Sequence, residues 1–337
     1  MKKSKLDLIL LFAVIMISLF GVMMIYSSSS IWAEYKFNNP YKYLITQSVF
    51  LVVGTILMII ISKISYTYYL DKANTLLFGC FVLLILVIIP GIGTIRNGSR
   101  SWFGIGGFGI QPSEFMKLAM IVFVSKYLYK NNKDIKNIKK GILPILGVTL
   151  FAFGLIMLQP DFGTGVILVM SIIGLLFISG VNMKFFLILG IFGVIGATLL
   201  IIIAPYRFQR ILSFLNPWLD PLGTGFQAIQ SLFAIGPGGL LGLGLGNSIQ
   251  KHFYLPEPQT DFIFSIISEE LGFLGIIIVS ALFLTIIYRG IKISLNSRDL
   301  FSKYLSFGII FQISFQALLN LMVVVGLIPV TGVTLPF

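Results

Sequence analysis

The sequence has little of what soluble chemistry is built from. Its 337 residues include one histidine, His252, and one cysteine, Cys80. A lone histidine argues against a zinc site or a histidine-centred triad. Cys80 lies inside an apolar run without a second cysteine, which excludes an internal disulfide. No GxxxxGK[ST] stretch is present, so no nucleotide-driven engine is visible. Charge is also scarce: 11% of residues are charged and only 12 are acidic, whereas a soluble domain carries about 25% charged residues. Apolar residues make up 57%, against about 45–50% in soluble chains. One core cannot hide that surplus. A soluble enzyme, a disordered chain, a coiled coil and a disulfide-rich secreted domain are excluded. An all-α polytopic membrane protein remains.

A spanning helix needs about 20 apolar residues. Uncharged runs cover Leu8–Ala33, Tyr43–Ser62, Ala73–Ile95, Gly141–Pro160, Phe162–Met183, Phe185–Tyr206, Leu271–Tyr288 and Tyr304–Phe337. Phe115–Tyr129 is shorter, but Lys117 and Lys126 near its ends can snorkel. The pattern predicts nine transmembrane helices. The last run is broken by Gly326 and Pro329, and a tenth span is expected to begin near Thr331. The first run is too long for a signal peptide and lacks a cleavage site, so it reads as a retained helix.

The net charge of +12 reports orientation here, not nucleic acid. With the N-terminus cytoplasmic, the inner segments hold 16 of the 24 basic residues. Lys126, Lys130, Lys133, Lys136, Lys139 and Lys140 form their strongest cluster. No repeat or soluble insertion interrupts the chain, which reads as one domain over 1–337.

Three outer segments depart from ordinary loops: Arg96–Lys117, Gln159–Thr164 and the long stretch 204–261 between helices 7 and 8. A loop this long in a compact protein is usually functional. Arg207 and Arg210 stand three apart, on one side of a helical turn, and guanidinium forks suit phosphate oxygens; anchoring to lipid headgroups is the equal alternative. The glycines from Gly236 to Gly246 lack the strand and βαβ unit of a nucleotide loop. Close packing or re-entrant backbone explains them better. Glu269 and Glu270 lie deeper in the eighth span, where ionisable groups are costly. A polar contact with Lys117 or Arg100 that fixes helix packing is the simplest role for them. Asp261 opens the eighth helix, where it or Thr260 could serve as a cap. A helix N-terminus lowers a carboxylate's pKa and burial raises it.

At these segments the chain resembles the bacterial SEDS family of shape, elongation, division and sporulation proteins. The matching motifs are "GSRSWFGIGGFGIQPSEFMK" from Gly98, "QPDFGTGVI" from Gln159, and "PYRFQRILSFLNPWLDPLGTGFQAIQSLFAIGPGGLLGLGLG" from Pro205. "YLPEPQTDFIFSIISEELGFLG" from Tyr254 and "GLIPVTGVTLPF" from Gly326 continue them. The likeness is closest to the FtsW and stage V sporulation protein E branch; the RodA branch commonly has histidine where Gln259 stands. Family members continue past "TGVTLPF" with a glycine-serine stretch and a tenth helix.

The resemblance implies a peptidoglycan glycosyltransferase that polymerises lipid II, a disaccharide-pentapeptide on undecaprenyl diphosphate, outside the cytoplasmic membrane. The family's essential loop aspartate falls on Asp261. Arg100, Lys117, Arg207, Arg210, Gln227, Gln230, Ser231, Glu257 and Thr260 are then expected to bind substrate. Glu114, Asp161, Glu269 and Glu270 are expected to support the site. A class B penicillin-binding protein is the implied partner, within division or sporulation machinery. The chemistry fits: a carboxylate takes the acceptor hydroxyl's proton, and cations receive the leaving diphosphate. An α-linked donor and a β-linked product require inversion and a single base. A magnesium or manganese ion could share the cationic duty, but no ligand cluster dictates one. A lipid II flippase and a non-catalytic scaffold for the penicillin-binding protein are the competing readings.

Overall fold

The computed structural model describes residues 6–96, 98–105, 108–135, 137–203 and 205–337. Lys2, Lys3, Lys5 and Lys136, used above for orientation, lie outside the described residues. In chain order the elements are α1 Leu8–Phe37, α2 Lys42–Lys63 and α3 Tyr66–Ile88, then strands β1 Thr94–Arg96, β2 Ser99–Ile105 and β3 Phe108–Ile110. They continue with α4 Pro112–Lys130, α5 Leu143–Met157, α6 Phe162–Ile178, α7 Met183–Ile203, α8 Pro205–Leu215, α9 Phe226–Ile235, α10 Ile263–Leu295 and α11 Leu300–Val324.

Among the described residues, seven helices are long and apolar enough to cross a membrane. They are α1, α2, α3, the 138–157 stretch ending in α5, α7, α10 and α11. α6 is a shorter apolar helix, and α4 carries Glu114, Lys117, Lys126 and Lys130. The chain is thus a multi-pass helical membrane protein. α2 buries none of its residues; its Ile and Leu side chains face outward, as lipid contact permits.

The chain departs from an all-helical reading at 94–110. There β1, β2 and β3 form an antiparallel sheet in sequence order, with Ile95 opposite Arg100 and Phe103 opposite Ile110. Gly98, at φ +80°, supplies the left-handed turn between β1 and β2, where a side chain would be strained. A second departure lies at the C-terminal end. Residues 325–337 are not helical, so the expected start of a tenth helix near Thr331 is not seen among the described residues. Gly326 and Gly332 both hold positive φ, and Pro329 and Pro336 lack the N–H that a helix needs.

The chain forms two compact units, each gathered from separate stretches. The first comprises Met1–Ser62, Gly190–Arg289 and Gln316–Phe337, and the second Lys63–Leu189 and Gly290–Phe315. The second is built on a conventional apolar core. Leu84, Met116, Met120, Ile121, Leu128, Ile145, Ile156 and Leu175 are wholly buried in it. The first has a more polar interior, which includes Ser27, Ser231, Ser248, Ser265, Glu269, Glu270 and Asn320.

Within the first unit α10 breaks at Gly272, which sits at φ +61°, ψ −153°. The break frees backbone groups, and the glycine-rich stretch takes them. Leu243 and Gly244 donate N–H to the carbonyls of Glu269 and Glu270 at 2.9 and 3.0 Å. Phe273 and Leu274 donate in turn to Gly239 and Leu240 at 3.0 and 3.2 Å. Gly242 passes so close to the Glu270 carbonyl that a Cβ there would collide with it. The glycines therefore serve close backbone packing, the role read for them above.

Candidate active site

Asp261 lies in the turn just ahead of α10, with Phe262 buried behind it. The preceding stretch is stiffened by Pro256 and Pro258. Glu257 between them adopts φ +52°. Its carbonyl accepts the Thr260 N–H at 3.2 Å, and its carboxylate accepts the Thr260 hydroxyl at 3.1 Å. Glu257 therefore props the turn that carries Thr260 and Asp261.

The other wall of this turn comes from the far end of the sequence. Asn320, wholly buried on α11, donates from its one amide nitrogen to two carbonyls. These are Asp261 O at 2.7 Å and Val333 O at 2.8 Å. Gln316 donates to Thr334 O at 3.1 Å. Arg210 on α8 donates to Val330 O at 3.0 Å. The extended segment 329–335 is thus tied down at three carbonyls. Gly332 lies at its middle, where an added Cβ would stand 3.8 Å from Asp261 Oδ2.

Beside this turn, α8 and α9 frame a cavity of about 440 Å³. Gln209, Arg210, Ser213, Thr224 and Gln227 give it polar groups; Leu222, Phe226, Pro256 and Val330 give it apolar walls. That mixture of sugar-sized volume and hydrogen-bonding lining is typical of small-molecule sites. Gln230 is half-buried on α9. Ser231 turns inward instead: its hydroxyl bonds to that of Ser265 and to Val324 O, 2.8 and 2.9 Å away, with no exposed surface. That geometry makes it a brace between α9, α10 and α11. Arg207 lies on α8, but its side chain is outside the described residues.

Glu269 and Glu270 have no exposed surface. Glu269 accepts the Ile249 N–H at 2.9 Å and the Ser248 hydroxyl. Glu270 pairs with the Lys251 ammonium at 2.9 Å and accepts the Ser27 hydroxyl at 2.5 Å. The cation against Glu270 is therefore Lys251, where Lys117 or Arg100 was expected. The pair pins the loop at 248–251 to α10 and to α1.

Arg100, Glu114, Lys117 and Asp161 belong to the second unit. Lys117 is buried and pairs with the exposed Glu114 at 2.9 Å. Asp161 caps α6 through the Thr164 N–H at 3.1 Å and accepts from the Gln111 amide at 2.7 Å. Burial pushes its carboxyl above the usual aspartate range, against the pull of the Thr164 hydrogen bonds. Arg100 lies half-buried on β2, its Nε without a hydrogen-bond partner. Among the described residues, no three His, Cys, Asp or Glu side chains gather as metal ligands would.

Comparison with known proteins decides the family. The family described as "cell cycle protein", which covers FtsW, RodA and SpoVE, matches residues 7–337. The chain belongs to the FtsW/RodA/SpoVE family. It is 50% identical over 336 residues to stage V sporulation protein E of Bacillus subtilis, covering 100% of this chain and 92% of that one. It is 38% identical to a probable peptidoglycan glycosyltransferase FtsW of Geobacter metallireducens, over 98% of this chain and 88% of that one. A solved peptidoglycan synthase complex, described as coordinating polymerization and crosslinking, matches at 31% identity and a TM-score of 0.74. That match covers 95% of this chain and 89% of its chain. The rod shape determining protein RodA of Thermus thermophilus matches at 27% identity and a TM-score of 0.65 over 95% and 87%.

Sequence reading found the Asp261 turn and Arg210, and it missed Asn320, Lys251 and the polar lining at Gln209, Ser213 and Thr224. Asn320 did leave a signal. It is an amide inside the apolar stretch Ala317–Val325, and polar groups at membrane depth mark function or packing.

Proposed function

We propose that this member of the family is a peptidoglycan glycosyltransferase that polymerises lipid II at the outer face of the cytoplasmic membrane. Asp261 is its general base. The observation that carries this reading is the setting of Asp261. Asp261 is half-buried at the head of a helix, its backbone turn held by Asn320 on one side and by the Glu257–Thr260 bonds on the other, in a family whose named relatives include peptidoglycan glycosyltransferases. The carboxylate accepts the proton of an acceptor sugar hydroxyl as that oxygen attacks the donor's anomeric carbon. The bond to the undecaprenyl diphosphate breaks on the opposite face, which inverts the centre. Positive charge at Arg210 and Arg207 stabilises the departing diphosphate. Gln227, with Gln209 and Thr224, hydrogen-bonds sugar in the cavity beside Arg210. Arg100, Lys117, Gln230 and Thr260 stand as substrate-binding residues on the resemblance alone. The partner we propose is a class B penicillin-binding protein that cross-links the new strand, in division or sporulation machinery. Support comes from the coordinated polymerization and crosslinking of the similar synthase complex.

Nine crossings with a cytoplasmic N-terminus are part of the same proposal. Asp7 and Arg289 form a two-pronged ion pair at 2.6–3.0 Å, so both lie on one side of the membrane. Crossings by α1 to α7 and by α10 bring the chain back to that side only if their number is even. With α4 and α6 counted as spans the number is eight, which fits the pairing, as six would without them.

Purified protein with its partner, given lipid II and moenomycin to silence classical transferases, should make glycan polymer. Asp261→Ala should cut the rate by about 10²-fold or more, the usual contribution of a general base. Polymer from Asp261→Ala at the unmodified rate eliminates the assignment. Headgroup translocation in vesicles that survives Asp261→Ala would favour the flippase instead.

A further inference from the structure

We propose that Asn320 is a positioning residue for the transferase reaction, holding the Asp261 turn and the extended segment 329–335 as one piece. The inference rests on Asp261 being the base. Asn320 bonds to both of these stretches: its Nδ2 reaches Asp261 O at 2.7 Å and Val333 O at 2.8 Å. An amide nitrogen has two hydrogens, so both are used and the donor is saturated. The side chain has no exposed surface, and its bond to Val333 O is fully buried. Losing the donor would leave the buried Val333 carbonyl unpaired and free the part-buried Asp261 carbonyl from its protein partner.

The consequence for chemistry lies in what each carbonyl controls. Asp261 O belongs to the residue whose carboxylate takes the proton, so fixing it fixes where that side chain starts. Val333 O belongs to the segment that brings Gly332 against the same carboxylate, with 3.8 Å from an added Cβ to Oδ2. Gly332 sits at φ +73°, a conformation that a side chain resists. The segment thus passes the carboxylate without a side chain between them. Asn320 sets the distance and Gly332 keeps the gap open. Near-attack geometry is sensitive at this scale, since a shift of about 1 Å can cost roughly 10²-fold.

Asn320→Asp keeps the shape and removes both N–H groups; Asn320→Leu removes them without adding charge. Each variant is assayed for lipid II polymerisation beside Asp261→Ala, with its melting temperature measured in detergent. The expected result is a kcat lower by about 10–100-fold, an unchanged KM for lipid II, and a melting temperature that does not explain the loss. Unmodified kcat in folded Asn320→Asp or Asn320→Leu overturns the proposal, as does a loss carried wholly by KM. If neither Asn320 variant folds, Gly332→Ala decides: kcat should fall there too, and an unchanged kcat overturns the proposal. Polymerisation by Asp261→Ala would sink the assignment of the base itself, a separate failure that the same experiment identifies.

Discussion

Lys251 carries its ammonium into a part of the first unit that offers almost no water, where, among the described residues, the Glu270 carboxylate and the Gly246 carbonyl receive it. Removing one member of a buried ion pair strands the other, at a cost of about 3–5 kcal/mol. Lys251→Met should therefore lower the melting temperature sharply, and adding Glu270→Gln should restore part of it. No recovery in the double variant would mean that Ser27 and Ser248 matter more than the charge. Asp7 titrates differently. The Arg289 guanidinium and the Leu10 N–H hold its carboxyl below the usual aspartate range. A lowered folded-state pKa contributes stability above the unfolded value, and this is lost as pH falls through the folded one. The stability difference between the unmodified protein and Asp7→Asn should thus be full at neutral pH, begin to fall near about pH 4, and vanish only below the lowered folded value. Asp161 has the opposite sign, because burial raises its carboxyl. Its favourable contribution is complete below the unfolded value and is lost as pH rises through the folded one. Asp161→Asn should thus relieve a penalty at neutral pH and change little in acid, read by melting temperature.

At the scale of elements, much of the architecture could be read directly. Each of the nine apolar runs overlaps a helix, and among the described residues seven helices are long and apolar enough to cross a membrane, because length and hydropathy decide whether a segment can sit in lipid. Three features escaped that reading. The sheet at 94–110 has strands of three to seven residues, too short for any window tuned to spans. α10 is interrupted at Gly272, a break that hydropathy does not register. The ties of Asn320 to Asp261 and Val333 join residues distant in sequence, and no local pattern encodes them. Asp261, Arg210 and Gln227 were legible because a motif carried them. The break in α10 makes its own prediction. Gly242→Ala would drive a methyl into the Glu270 carbonyl, splitting the four backbone bonds that join loop to helix. The variant should lose folded yield in detergent, while Gly246→Ala, strained at φ +83° but with open space around it, should lose less. Equal yields would mean that the close approach is not essential.

For the whole molecule, the arrangement to be tested is the path of the chain across the membrane. With Cys80 replaced by alanine, a cysteine at Gly223 should react with an impermeant reagent from outside intact cells. A cysteine at Lys133 should react only after permeabilisation. The reverse pattern would invert the proposed orientation. The two units are interleaved along the sequence: α10 and α11 each contribute to both. Neither unit is a contiguous stretch, so the parts cannot be divided by a simple cut.

The tie between Asn320 and the Asp261 turn has a temporal side. A ribosome delivers Asp261 to the insertion machinery well before it has translated the asparagine and the strand that cradle it. Until α11 is threaded and residues 329–335 have doubled back, the Asp261 turn lacks the bond that Asn320 gives its carbonyl.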